Sequence, residues 1–215
     1  MNRLVIFDLD GTLADTYKSL FDSANEAAVE LGYGNIPKGL FDKTIGMPYE
    51  PAVELMLSIK DKEKVDEYIN SFREIYDRKC TETELYPGVE SALRDLRGKG
   101  FLTAISTTKP TVYAMKILRH FGIDNLFDVV VGSELEELEK EKPELVKTAL
   151  DKLRFEGDAI MVGDTVYDVI GARKNGLGAL VFLNGMNSRG EFEKSPPDSF
   201  FQSYGELINL LEGRK

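Results

Sequence analysis

Leu4-Val5-Ile6-Phe7-Asp8-Leu9-Asp10-Gly11-Thr12-Leu13 runs from four apolar residues straight into two acids and a glycine. A short apolar run ended in this way is the pattern of a strand buried on both faces of a parallel sheet. Asp8 and Asp10, at i and i+2, then point their carboxylates to one side of the strand tip, about 7 Å apart along the chain, while Leu9 faces the other way. Gly11 accepts a positive φ, so the chain can turn there and leave both acids at the tip.

Outward from this stretch, similar apolar runs recur at residues 101–106, 129–131, 159–162 and 178–183. Segments of helical period separate them, at residues 89–97, 112–121 and 144–153. Alternation of this kind implies an α/β fold with a Rossmann-like parallel sheet. Residues 15–84 break it. There Leu20, Ala24, Ala27, Ala28 and Leu31 share one helical face, residues 51–59 and 65–76 show the same amphipathic spacing, and no strand pattern stands out. The expected organisation is a core of residues 1–14 and 85–215 with a helical bundle, residues 15–84, inserted after the first strand.

Three more groups carry candidate chemistry. Ser106-Thr107-Thr108-Lys109-Pro110 sets hydroxyls and free N–H groups at a strand-to-helix junction, which suits a phosphate but also suits simple helix capping. Lys142, before Pro143, stands at a helix entrance, where its ammonium can pair with a carboxylate or phosphate. Gly163-Asp164-Thr165-Val166-Tyr167-Asp168 places one acid at a strand end and another a helical turn later. With Asp8 and Asp10 these make an all-oxygen cluster of the kind a hard cation such as Mg²⁺ prefers. Every group falls at the carboxyl end of an expected parallel strand, the edge along which such sheets bind ligands. Carboxylates, hydroxyls and a lysine around one point form the set that holds a cation and a phosphoryl group together.

Composition narrows the partners. With 27 basic and 37 acidic residues among 215, the net charge is −10, the wrong sign for tracking nucleic acid or an anionic membrane. The single cysteine, Cys80, cannot form an internal disulfide. The apolar run before Asp8 is too short for a signal-peptide core or a membrane span. These features point to a cytoplasmic protein acting on a small molecule, as a monomer or homodimer. His120, the only histidine, reads as a helix-end residue, and Thr44-Ile45-Gly46-Met47-Pro48 reads as the loop of the insert that selects substrate.

Taken in order, Asp8-Leu9-Asp10-Gly11-Thr12-Leu13, Thr107, Lys142 and Gly163-Asp164 through Asp168 resemble the four motifs of the haloacid dehalogenase superfamily in its phosphatase branch. The helical insert resembles that family's cap, in the phosphoglycolate-phosphatase-like group. The resemblance implies a Mg²⁺-dependent phosphomonoesterase in which Asp8 is the nucleophile and Asp10 the general acid and base. It also implies that Asp8, the Asp10 carbonyl, Asp164 and Asp168 hold the metal, while Thr107, Thr108 and Lys142 bind phosphate. Asp10 argues against a dehalogenase, which lacks the second acid. Gly163-Asp164-Thr165 argues against a β-phosphoglucomutase, which carries a Glu-Asp pair there. A phospho-aspartate receiver switch would place its accepting acid after a later strand.

Overall fold

The computed structural model describes residues 3–45, 47, 49–135, 140–183 and 188–213. Gly46 and Pro48 of the expected substrate loop lie outside them. The chain divides into two compact units, one of Met1–Asp15 with Glu84–Lys215 and one of Thr16–Thr83.

The first unit is built on strands β1 (Arg3–Phe7), β2 (Ala14–Asp15), β3 (Glu84–Leu85), β4 (Leu102–Pro110), β5 (Val129–Ser133), β6 (Asp158–Gly163), β7 (Gly178–Phe182) and β8 (Ser199–Phe201). Among the described residues, six of them form one parallel sheet in the order β5-β4-β1-β6-β7-β8. From β1 the chain winds outward first on one side and then on the other, so the reversal point lies beside β1, where open sheets of this type form a crevice. Phe7 is in register with Ile105 on one side and Val162 on the other, which brings Asp8 out at the middle of the sheet. On one face Leu4, Ile6, Ala104 and Met161 share a core with Val146 and Val169.

Two features depart from the expected elements. Asp15 and Glu84, assigned above to a strandless insert, pair across a two-residue antiparallel ladder, Ala14↔Leu85 and Asp15↔Glu84. Such a ladder is too short to show alternation. The 101–106 strand also runs on to Pro110 through a bulge, in which the four steps from Ser106 to Pro110 face the two steps from Val131 to Ser133. The bulge is held by its neighbour: the Ser133 hydroxyl donates to the Thr108 carbonyl at 2.5 Å, and the Gly132 N–H donates to the Thr111 hydroxyl at 3.2 Å.

The second unit contains helices α1 (Tyr17–Glu30), α2 (Lys38–Phe41), α3 (Tyr49–Leu57) and α4 (Lys62–Lys79). Ala24, Ala27 and Ala28 on α1 are buried, as are Tyr68, Phe72 and Tyr76 on α4, the period-3.6 stripe that makes each helix bury one side. Small alanines on α1 let α4 approach closely enough for the Tyr68 hydroxyl to donate to the Ala24 carbonyl at 2.9 Å. Asp61 caps α4, accepting from the Lys64 N–H at 3.1 Å. The first unit adds α5 (Val89–Gly98), α6 (Thr111–His120), α7 (Lys142–Leu153), α8 (Val166–Lys174) and α9 (Tyr204–Gly213). Among the described residues no helix is long and apolar enough to cross a membrane.

Candidate active site

At the carboxyl edge of the sheet, Asp8 leaves β1 with its N–H bonded to the Val162 carbonyl at 2.9 Å. The following loop closes on itself, the Leu9 carbonyl accepting from Leu13 and Ala14 at 2.9 and 3.0 Å. Gly11 has φ +70°, and a Cβ there would collide with the Asp164 carboxylate. Only glycine lets the loop lie this close to β6. Thr12, fully buried, donates its hydroxyl to Asp164 Oδ1 at 2.9 Å. Its carbonyl accepts from the Tyr204 hydroxyl on α9 at 2.5 Å.

Lys142 begins α7 and is buried. Its ammonium lies 2.9 Å from Asp8 Oδ1, 2.8 Å from Asp168 Oδ1 and 3.1 Å from the Ser106 carbonyl, one acceptor for each of its three N–H groups. The two Oδ1 atoms are buried and have no hydrogen-bond partner beside that ion pairing. Gly171 on α8 makes room for the lysine stem, since a Cβ would come 2.7 Å from Lys142 Cγ. Asp168 serves two purposes. Its Oδ2 accepts from the Thr165 N–H and hydroxyl at 3.0 and 2.8 Å, forming a capping box for α8, while its other oxygen faces Lys142.

Asp8, Asp164 and Asp168 each present a carboxylate oxygen within 4.8 Å of the others, and all three are buried. Such an oxygen-only set can hold a metal ion. Burial pushes the Asp8 carboxyl up to about 6; Lys142 works against this, and the charges of Asp168 and Asp10 add to it. Asp164 is raised well above the ordinary carboxylate value, again by burial first and then by Asp168 and Asp8. For Lys142 burial opposes the charge, but Asp168 and Asp8 outweigh it and hold the lysine above its ordinary value.

The structure thus brings Asp8, Asp164, Asp168 and Lys142 into direct proximity. Thr107 is buried in the bulge, where its Oγ1 accepts from the Lys109 N–H at 3.2 Å. Thr108 is exposed and enters the bulge through its carbonyl. The Asp10 side chain is turned to Lys109, with Nζ 3.1 Å from Asp10 Oδ1. Lys109, the Ser106 carbonyl, Thr12 and Tyr204 were not singled out from sequence. A lysine two residues beyond Thr107, just before a proline, was the available signal for Lys109; Tyr204, 192 positions from Thr12, offered none.

Residues 5–182 match the family profile of the haloacid dehalogenase-like hydrolases. The chain belongs to this family. A 5'-nucleotidase from Pseudomonas aeruginosa is 29% identical to it over 97% of this chain and 95% of that protein. A phosphoglycolate phosphatase from Haemophilus influenzae is 29% identical over 97% of this chain and 98% of the other. Among solved structures, a predicted phosphatase from Clostridium acetobutylicum superposes with a TM-score of 0.88 at 31% identity, covering 99% of each chain. Within the haloacid dehalogenase-like hydrolases the chain is of the phosphatase kind, a phosphoric monoester hydrolase.

Proposed function

We propose that this hydrolase is a Mg²⁺-dependent phosphomonoesterase of a small soluble phosphorylated metabolite, phosphoglycolate-phosphatase-like, working through an aspartyl-phosphate on Asp8. The observation that carries the reading is the buried group of Asp8, Asp164 and Asp168 arranged about Lys142. Burial first, and then the neighbouring carboxylates, raise the carboxyls of Asp8 and Asp164, so positive charge placed beside them would favour their ionised forms. A divalent cation would supply that charge. The residues that would hold it are Asp8, Asp164 and the Asp10 carbonyl, with Asp168 as a further ligand. When bound, Mg²⁺ supplies positive charge that offsets the repulsion between the attacking carboxylate and the phosphate.

In the first step an oxygen of Asp8 forms a bond to phosphorus while the bond from phosphorus to the substrate oxygen breaks, and that oxygen takes a proton from Asp10. In the second step a water oxygen attacks the same phosphorus, its proton goes to Asp10, and phosphate leaves with Asp8 restored. Lys142 holds Asp8 in place throughout and neutralises charge beside it. The Thr107 hydroxyl, which accepts from Lys109, has its own proton to donate to a phosphate oxygen. The helical unit of residues 16–83 acts as the cap that selects substrate. A cytoplasmic setting suits a chain whose single cysteine, Cys80, is buried as a thiol.

The test is turnover of p-nitrophenyl phosphate with and without Mg²⁺, for wild type and Asp8→Asn. Removing the metal or the nucleophile is expected to lower the rate by about 10⁴-fold or more, and activity that survives either change overturns the mechanism. A panel of phosphoglycolate, sugar phosphates, nucleotides and pyrophosphate then identifies the substrate class. A long-lived phospho-protein with little turnover would favour a switch over an enzyme.

A further inference from the structure

We propose that Lys109 is a positioning residue for proton transfer: it holds the Asp10 carboxylate out of the buried cation-binding group, where that carboxylate can serve the departing oxygen. The proposal rests on the proton-transfer reading of Asp10 and deepens it. Asp8, Asp164 and Asp168 lie within 4.8 Å of one another, and Asp10, only two residues after Asp8, does not belong to this set. Its carboxylate is drawn instead to Lys109, at 3.1 Å. The Lys109 side chain is 2% exposed and that of Asp10 26% exposed, so a buried ammonium reaches toward an acid at the rim. Burying a lysine carries a large desolvation cost, and a fold that retains one has to hold it in place.

The backbone does this through the bulge in β4. Two residues apart on β4, Thr107 and Lys109 share one side of the strand and are both buried, while Thr108 faces out. Over the same stretch the four steps of β4 from Ser106 to Pro110 face only two of β5. A bulge of this kind beside an active site bends the strand and sets the aim of its side chains. On β5, Gly132 leaves space for the displaced backbone, because a Cβ there would collide with the Lys109 carbonyl and come 2.7 Å from the Thr111 nitrogen. The Lys109 N–H is spent on Thr107 Oγ1, which ties the lysine to the candidate phosphate-binding hydroxyl. Without the Lys109 charge, Asp10 loses the ammonium that draws its carboxylate outward and is no longer held to face the departing oxygen.

The experiment compares two leaving groups on one preparation of full-length protein with Mg²⁺ present, so that the ratio of activities does not depend on the folded fraction. The substrates are p-nitrophenyl phosphate, whose departing aryloxide needs little protonation, and the alkyl phosphate that wild type turns over fastest. The readout is kcat/KM, which covers the steps up to loss of the leaving group. For Lys109→Met, with Lys109→Gln as a second variant, kcat/KM is expected to fall by about 10²-fold on the alkyl phosphate and by less than about 5-fold on the aryl phosphate. Asp10→Asn should show the same split, and Lys109→Arg should restore most of the alkyl activity. An equal loss on both substrates, or no loss on either, overturns the proposal. If Asp10→Asn shows the split and the Lys109 variants do not, the role of Asp10 stands and that of Lys109 falls. If Asp10→Asn itself loses both activities equally, the proton-transfer reading of Asp10 fails and takes this proposal with it.

Discussion

Among the described residues, the buried polar side chains of the helical unit, tyrosines aside, are the hydroxyls of Thr16, Ser19, Ser23 and Thr44. Ser19, Ser23 and Thr44 donate to carbonyls three or four residues back, so their polarity is satisfied within a turn of chain. The core unit instead buries Asp8, Lys109, Lys142, Asp164 and Asp168, all along the edge where the parallel strands end. Neutral groups with local partners can be enclosed at small cost, whereas enclosed charges depend on each other across the sheet. The first arrangement suits a scaffold, and the second keeps charge in a dry place for chemistry to use.

The contrast can be broken most directly with Lys142→Met. Removing that ammonium leaves Asp8 and Asp168 buried without compensation, and unfolding in urea should show a loss of about 3–5 kcal/mol. The matching change in the helical unit is Lys79→Met, which deletes a partly exposed pair with Glu26. Its loss should be about 1 kcal/mol or less. Equal losses would erase the distinction between the two regions.

A second effect follows from Asp8. Its carboxyl takes a proton near 6 in the fold and near 3.8 when unfolded, so between those values the folded state holds the extra proton. The metal-free core therefore loses stability as pH rises from about 4 to 6, on the order of 3 kcal/mol, and Asp164 adds in the same direction. Thermal unfolding without metal should thus give a lower Tm at pH 7.5 than at pH 5, and Mg²⁺ should raise Tm more at pH 7.5. The opposite ordering would mean that the carboxylate group is not short of positive charge. A small effect is also expected in the helical unit. Tyr68→Phe removes the bond to the Ala24 carbonyl and should cost about 1 kcal/mol with kcat changed less than about 2-fold.

How far each part could be read from sequence depends on how local its cause is. β1, β6 and β7 were legible because a central parallel strand is apolar on both faces and leaves an unbroken run. The helical stripe of Ala24, Ala27 and Ala28 was legible from period alone. β8 was not, since three residues after Pro196-Pro197 carry no pattern, and the β2–β3 ladder is shorter still. The acids that meet at the sheet edge, Asp8, Asp164 and Asp168, could be anticipated because each follows a strand. Lys109 shares a side of β4 with Thr107, two residues before it, but its pairing with Asp10 joins two different strand ends and has no local pattern. At Asp168 the structure gives one oxygen to the cap of α8 and the other to Lys142, a division that the spacing of the acids does not reveal.

The bond from Tyr204 to the Thr12 carbonyl joins positions 192 apart in the chain. During synthesis, the loop that carries both leading acids therefore leaves the ribosome long before α9 and takes this bond only once that helix has followed. A nascent chain stopped before α9 would lack this fastening and hold the loop only through its turn on the Leu9 carbonyl and the Thr12 bond to Asp164, so α9 completes the support beneath the two acids.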